Sequence, residues 1–121
     1  MKIRLRSNSL RYRLTRSEVE RFTQEGVVAE KVQIGDETLT YVLQRSMEPE
    51  LKATLKNNII TLDVPEKLAD EWTSTDRVGF DCKAGPLYLL VEKDFTCLDN
   101  VDEDQSDNYP NPLAQYKNER D

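Results

Sequence analysis

Leu10-Arg11-Tyr12-Arg13-Leu14-Thr15-Arg16-Ser17-Glu18-Val19 is the stretch on which the fold turns. Leu10, Tyr12 and Leu14 alternate with arginines. That period of two predicts a strand with one apolar and one basic face. The period then changes. Thr15, with Glu18 three residues on, fits a capping box, in which each residue satisfies a free amide of the other. Val19 and Phe22 follow at helical spacing, and Gly26 stands where a left-handed cap is needed. A helix is therefore predicted over 16–25, fed directly by a strand.

Upstream, Ile3 and Leu5 alternate with Lys2, Arg4 and Arg6, and Ser7-Asn8-Ser9 is turn chemistry. The first two strands should pair as a hairpin. Downstream, strands are expected over 28–34 and 39–45, joined at Gly35-Asp36-Glu37, and over 51–56 and 60–64, joined at Asn57-Asn58. Pro65 opens a second helix where its missing N–H costs nothing, and Leu68, Ala69 and Trp72 form its apolar stripe. Strands over 78–82 and 87–91 flank Ala84-Gly85-Pro86. The last of these is the most apolar in the chain and should be central in its sheet.

The order strand–helix–strand–strand occurs twice, about fifty residues apart, which suggests an internal repeat. The expected fold is α+β: a mostly antiparallel, curled sheet of about seven or eight strands with two short helices. A single domain is expected over 1–98, followed by an acidic C-terminal extension over 99–121.

Charge is sorted along the chain. Lys2, Arg4, Arg6, Arg11, Arg13, Arg16 and Arg21 stand against only Glu18 and Glu20 in the first 21 residues. From residue 94 onward the balance reverses, with Asp94, Asp99, Asp102, Glu103, Asp104, Asp107, Glu119 and Asp121 against Lys117 and Arg120. The formal net charge of −6 argues against general nucleic-acid binding. There is no histidine, which removes Ser-His-Asp and Cys-His chemistry and imidazole metal ligands. No motif calls for a cofactor. Asp102, Asp104 and Asp107 are carboxylates of the kind that hold a hard cation, but their spacing is not that of a calcium loop. No apolar run is long enough to cross a bilayer. Without an export signal, a reducing cytoplasm is expected, with Cys82 and Cys97 as free thiols.

Arg4, Arg6, Arg11 and Arg13 should project from one face of the leading hairpin if its register aligns them. Guanidinium groups at that density repel unless something negative compensates them. This makes them candidate anion-binding residues. The competing reading is a solvated face neutralised from elsewhere in the chain. Asp99, Asp102, Asp104 and Tyr109 are candidate docking residues for the acidic tail, which would then lie along the arginines. Phe95, Leu98, Tyr109 and Leu113 give that tail apolar side chains a purely disordered segment lacks.

Met1-Lys2-Ile3-Arg4-Leu5-Arg6, Asn8-Ser9-Leu10-Arg11, Leu14-Thr15 and Ser17-Glu18-Val19 carry a family resemblance. So does the later Val91-Glu92-Lys93-Asp94-Phe95 with Cys97-Leu98, followed by acids and Pro110-Asn111-Pro112. Together they resemble a family of small bacterial proteins classed as a domain of unknown function. Ser7 stands where that pattern leads one to expect glycine. The resemblance implies a cytoplasmic bacterial protein and brings no catalytic residue with it.

The functional expectation is a non-catalytic binding or regulatory protein. Its Arg-rich hairpin would meet an anionic small molecule or its own acidic tail, and the tail offers a docking strip for a basic protein partner. The alternative is a small enzyme acting on a phosphate or carboxylate substrate, with a carboxylate such as Glu92 doing the chemistry. A homo-oligomer is also open.

Overall fold

The computed structural model describes residues 1–95 and 106–110. Asp99, Asp102, Asp104, Cys97, Leu98 and Leu113 lie outside the described residues.

The elements run β1 (Lys2–Arg6), β2 (Ser9–Leu14), α1 (Arg16–Glu25), β3 (Val27–Ile34), β4 (Glu37–Ser46), β5 (Lys52–Lys56), β6 (Ile59–Pro65), α2 (Glu66–Ser74), β7 (Gly79–Ala84) and β8 (Leu87–Lys93). The fold class is α+β. The expectation of one mostly antiparallel sheet is corrected: there are two mixed four-stranded sheets, ordered β1-β2-β8-β7 and β3-β4-β6-β5. Each consists of two antiparallel hairpins joined by a parallel seam, β2 with β8 in one and β4 with β6 in the other. The hairpins are legible because their turns are local. The seam between β2 and β8 joins strands almost eighty residues apart, and alternation alone carries no strand direction.

Local chemistry fixes the junctions. Glu18 Oε1 accepts the Thr15 amide at 2.9 Å, and Gly26 closes α1 at φ 77° with its N–H on the Phe22 carbonyl. Ser7 takes φ 49° in the first turn, a left-handed conformation that favours glycine.

The apolar faces of both sheets and the inner faces of both helices meet in one cluster. Tyr12, Leu14, Leu43, Leu62, Val64, Trp72, Leu89 and Val91 are fully buried there. Tyr12 of one sheet meets Tyr41 of the other with ring centroids 6.0 Å apart. Trp72 stands edge-on to both Phe22 and Phe80, at 6.1 and 5.3 Å, and donates its indole N–H to the Val78 carbonyl at 3.1 Å. This aromatic chain ties α1, α2 and β7 together, which leaves the opposite face of the β1-β2-β8-β7 sheet outward. Among the described residues no helix is long and apolar enough to cross a membrane.

Candidate functional site

Residues directly opposite in neighbouring strands point to the same side of a sheet. The register therefore sorts the outer face into three rows. Lys2 lies opposite Arg13, Arg13 opposite Glu92, and Glu92 opposite Gly79. The middle row is Arg4, Arg11, Leu90 and Asp81. The third is Arg6, Ser9, Tyr88 and Lys83. Rows two residues apart are separated by about 6.8 Å, and strands by about 4.8 Å. Arg4, Arg6, Arg11 and Arg13 thus share one face, with Arg4 directly across from Arg11.

The four are not equivalent. Glu92 Oε1 accepts Arg13 Nε at 2.8 Å and lies 3.4 Å from Arg11 Nη1. It offsets one of the two positive charges at the helix-proximal end of the patch. Arg4 and Arg6 form no ion pair among the described residues. With Arg11, Ser9, Tyr88 and Leu90 they line a hollow of about 180 Å³. The Tyr88 hydroxyl donates to Asp81 Oδ2 at 2.5 Å, which fixes the ring beside the hollow and raises the phenol above its ordinary range.

The described part of the tail lies elsewhere. Asp94 donates its N–H to the Leu14 carbonyl at 2.8 Å, and Phe95 and Tyr109 form an isolated parallel bridge. Tyr109 donates its N–H to the Asp94 carbonyl at 2.8 Å. Its ring packs on Phe95 at 5.5 Å, with Arg16 and Lys93 both within 6 Å of the centroid. Asp107 caps α1: Ser17 donates its hydroxyl to Oδ2 at 2.5 Å, and its carbonyl accepts the Arg16 amide at 3.0 Å. The hydrogen bond from Ser17, with a further one from Thr15, holds the Asp107 carboxyl below its usual range. Tyr109 therefore meets Arg16 and Lys93, not the four hairpin arginines.

Several residues here escape a reading of the sequence. Tyr88, Leu90 and Asp81 enter the face only through the parallel seam. Glu92 can be found as a charge on a strand, but its pairing with Arg11 and Arg13 cannot. A second buried ionic site joins the Met1 ammonium to Glu18 and to Glu30, the latter at 3.0 Å, and Tyr41 donates its hydroxyl to the Met1 carbonyl at 2.9 Å. Burial alone would raise the Glu18 carboxyl; the Met1 ammonium and the Thr15 amide outweigh it and leave it lowered. Cys82 is a half-buried free thiol, pushed up by burial and by the charges of Asp81 and Glu50.

A search of curated proteins finds no match, and neither does a search of solved structures. The model of a family of unknown function, DUF7009, matches residues 1–113, and the chain belongs to that family.

Proposed function

We propose that the outer face of the β1-β2-β8-β7 sheet binds an anion, with Arg4, Arg6 and Arg11 as its contacts, in a non-catalytic binding or regulatory protein. The observation that carries this is the cross-strand pair of Arg4 and Arg11 beside an Arg6 that, like Arg4, has no carboxylate among the described residues. Like charges set directly opposite are destabilising unless a counter-charge arrives. Glu92 serves Arg11 and Arg13 and leaves the other end of the patch positive. The hollow there has room for one phosphate or carboxylate group, while the rest of a ligand would lie along the face.

The twofold order of elements supports this reading. We infer an internal repeat: β1, β2 and α1 lead into two strands, as do β5, β6 and α2, with corresponding positions fifty residues apart. In the hairpin of β5 and β6, Thr54 lies opposite Thr61 and Lys52 opposite Asp63. The equivalent pairs in the first hairpin are Arg4 with Arg11 and Lys2 with Arg13. The same strand geometry thus folds without the arginines, so the fold itself does not require them.

The enzyme alternative asks Glu92 to act as a base. Its Oε1 already accepts Arg13 Nε at 2.8 Å and lies 3.4 Å from Arg11 Nη1, so the oxygen that would take a substrate proton is occupied by two guanidinium groups.

Titration calorimetry with inorganic phosphate and with phenyl phosphate tests the proposal. Arg4→Ala and Arg11→Ala should each weaken binding by about tenfold, the value of one charge-assisted contact. Unchanged affinity in both variants would overturn it.

A further inference from the structure

A second, roomier cavity lies away from the arginines. It has a volume of about 580 Å³, within the range of ligand pockets, and opens between β7, the start of α2 and the segment before β5. Residues 81–85 line it consecutively. Side chains alternate along a strand, so an unbroken run means that the edge of β7 borders the cavity, not one of its faces. β7 pairs with β8 alone and ends its sheet.

The direction of its main-chain groups can be read from two contacts. The Val78 carbonyl accepts Lys93 N–H at 2.9 Å, so residues 80, 82 and 84 direct their N–H and C=O toward β8. The Gly79 carbonyl accepts Arg77 Nε at 2.9 Å, turned the other way. Asp81 and Lys83 share that outward orientation and present a donor and an acceptor each, about 6.8 Å apart. An extended chain carries the complementary groups at the same repeat.

The remaining walls add selectivity. Leu51 and Leu68 offer an apolar surface across from the edge. Lys67 and Lys83 stand at the cavity with no ion pair among the described residues, while the Asp81 carboxylate is engaged by Tyr88. The Tyr88 hydroxyl is neutral, so Asp81 keeps its charge; Lys67 and Lys83 are the cations without an ion pair, and Asp81 and Glu50 are the carboxylates of the lining.

We propose that this cavity binds a short extended peptide, added as a further strand to the edge of β7, with an aliphatic side chain against Leu51 and Leu68 and an acidic one toward Lys67 and Lys83. Main-chain hydrogen bonds supply the affinity and the two side-chain contacts the preference. The site shares Asp81 and Lys83 with the outer face but none of its arginines, and neither reading depends on the other.

The test uses the full chain and a fluorescein-labelled, amidated Val-Leu-Asp-Val peptide followed by anisotropy. Binding should saturate. A version of the peptide N-methylated at alternate residues keeps its side chains but loses half its strand hydrogen bonds. It should bind about tenfold more weakly, as should a version with Lys in place of Asp. Lys67→Glu, on an exposed helix position, should weaken the parent peptide to a similar degree, and Arg4→Ala should leave it unchanged. Equal binding of all three peptides would overturn the proposal. So would indifference to Lys67→Glu, or a chain that dimerises through β7 and gives no saturable peptide signal.

Discussion

Arg4 and Arg11 are register partners across the β1–β2 hairpin, and both project from the outer face of the sheet. Glu92 reaches Arg11 but not Arg4. The face is therefore graded, partly compensated near the helices and positive near the Ser7 turn.

That gradient predicts the effect of Glu92→Gln. Removing the carboxylate frees Arg11 and Arg13 and leaves four uncompensated guanidinium groups. Affinity for inorganic phosphate should rise about threefold to tenfold, while stability falls by about 1 kcal/mol, since the pairs are partly exposed. Parallel calorimetry and thermal unfolding measure both. A variant that loses phosphate affinity would show that Glu92 assists binding.

The buried ammonium of Met1 gives a pH prediction. The Glu18 carboxyl lies below its ordinary 4.5 in the folded chain. A group lowered by folding contributes stability that is complete above its unfolded value and lost as pH falls through its folded value. Acid unfolding should therefore include a component below about pH 4.5 that Glu18→Gln removes. At neutral pH the substitution should cost about 1–3 kcal/mol, because it leaves the ammonium with only the more exposed Glu30. Urea titrations at pH 7 and pH 3.5 check this; equal losses at both would contradict it.

Ser7 sits at φ 49° in the first hairpin turn. Glycine reaches that region without steric cost, so Ser7→Gly should stabilise the chain by about 0.5–1 kcal/mol, read as a raised melting temperature. Ser7 does not line the hollow, so the substitution should leave phosphate affinity nearly unchanged. A lowered melting temperature would mean that Ser7 is held by something other than turn geometry.

Asp107 caps α1 through Ser17, and Tyr109 packs on Phe95, Arg16 and Lys93. Tyr109→Ala should release the 106–110 segment and expose Lys93, whose amine burial now lowers. Hydrogen exchange at the amides of Arg16, Ser17 and position 109 should accelerate, with little change at Arg4 or Arg11. Acceleration along β1 as well would tie this segment to the arginine face.

What could be read in the chain follows from the range of each interaction. Every strand and helix is announced locally, by alternation at Leu10, Tyr12 and Leu14, by the Thr15–Glu18 box and by Pro65. The shared direction of Arg4, Arg6, Arg11 and Arg13 follows from a period of two and a short turn. The partners of those arginines do not. Glu92 and Tyr88 reach them through a parallel seam that local patterns do not encode. The same holds for Asp107, whose carboxylate meets Ser17 ninety residues away. Acids and bases at opposite ends suggested that the tail would cover the hairpin, but Asp107 and Tyr109 instead find the amides and cations at the start of α1.

The account rests on the positive end of the outer face. Nitrogen-15 spectra of the arginine Nε–H groups, recorded through a titration with inorganic pyrophosphate, read it directly. Signals of Arg4, Arg6 and Arg11 should move together and saturate, while those of Arg45 and Arg77, each already paired with a carboxylate, stay in place. Small, unsaturated shifts spread evenly over all the arginines would reduce the face to a screened surface and contradict the account.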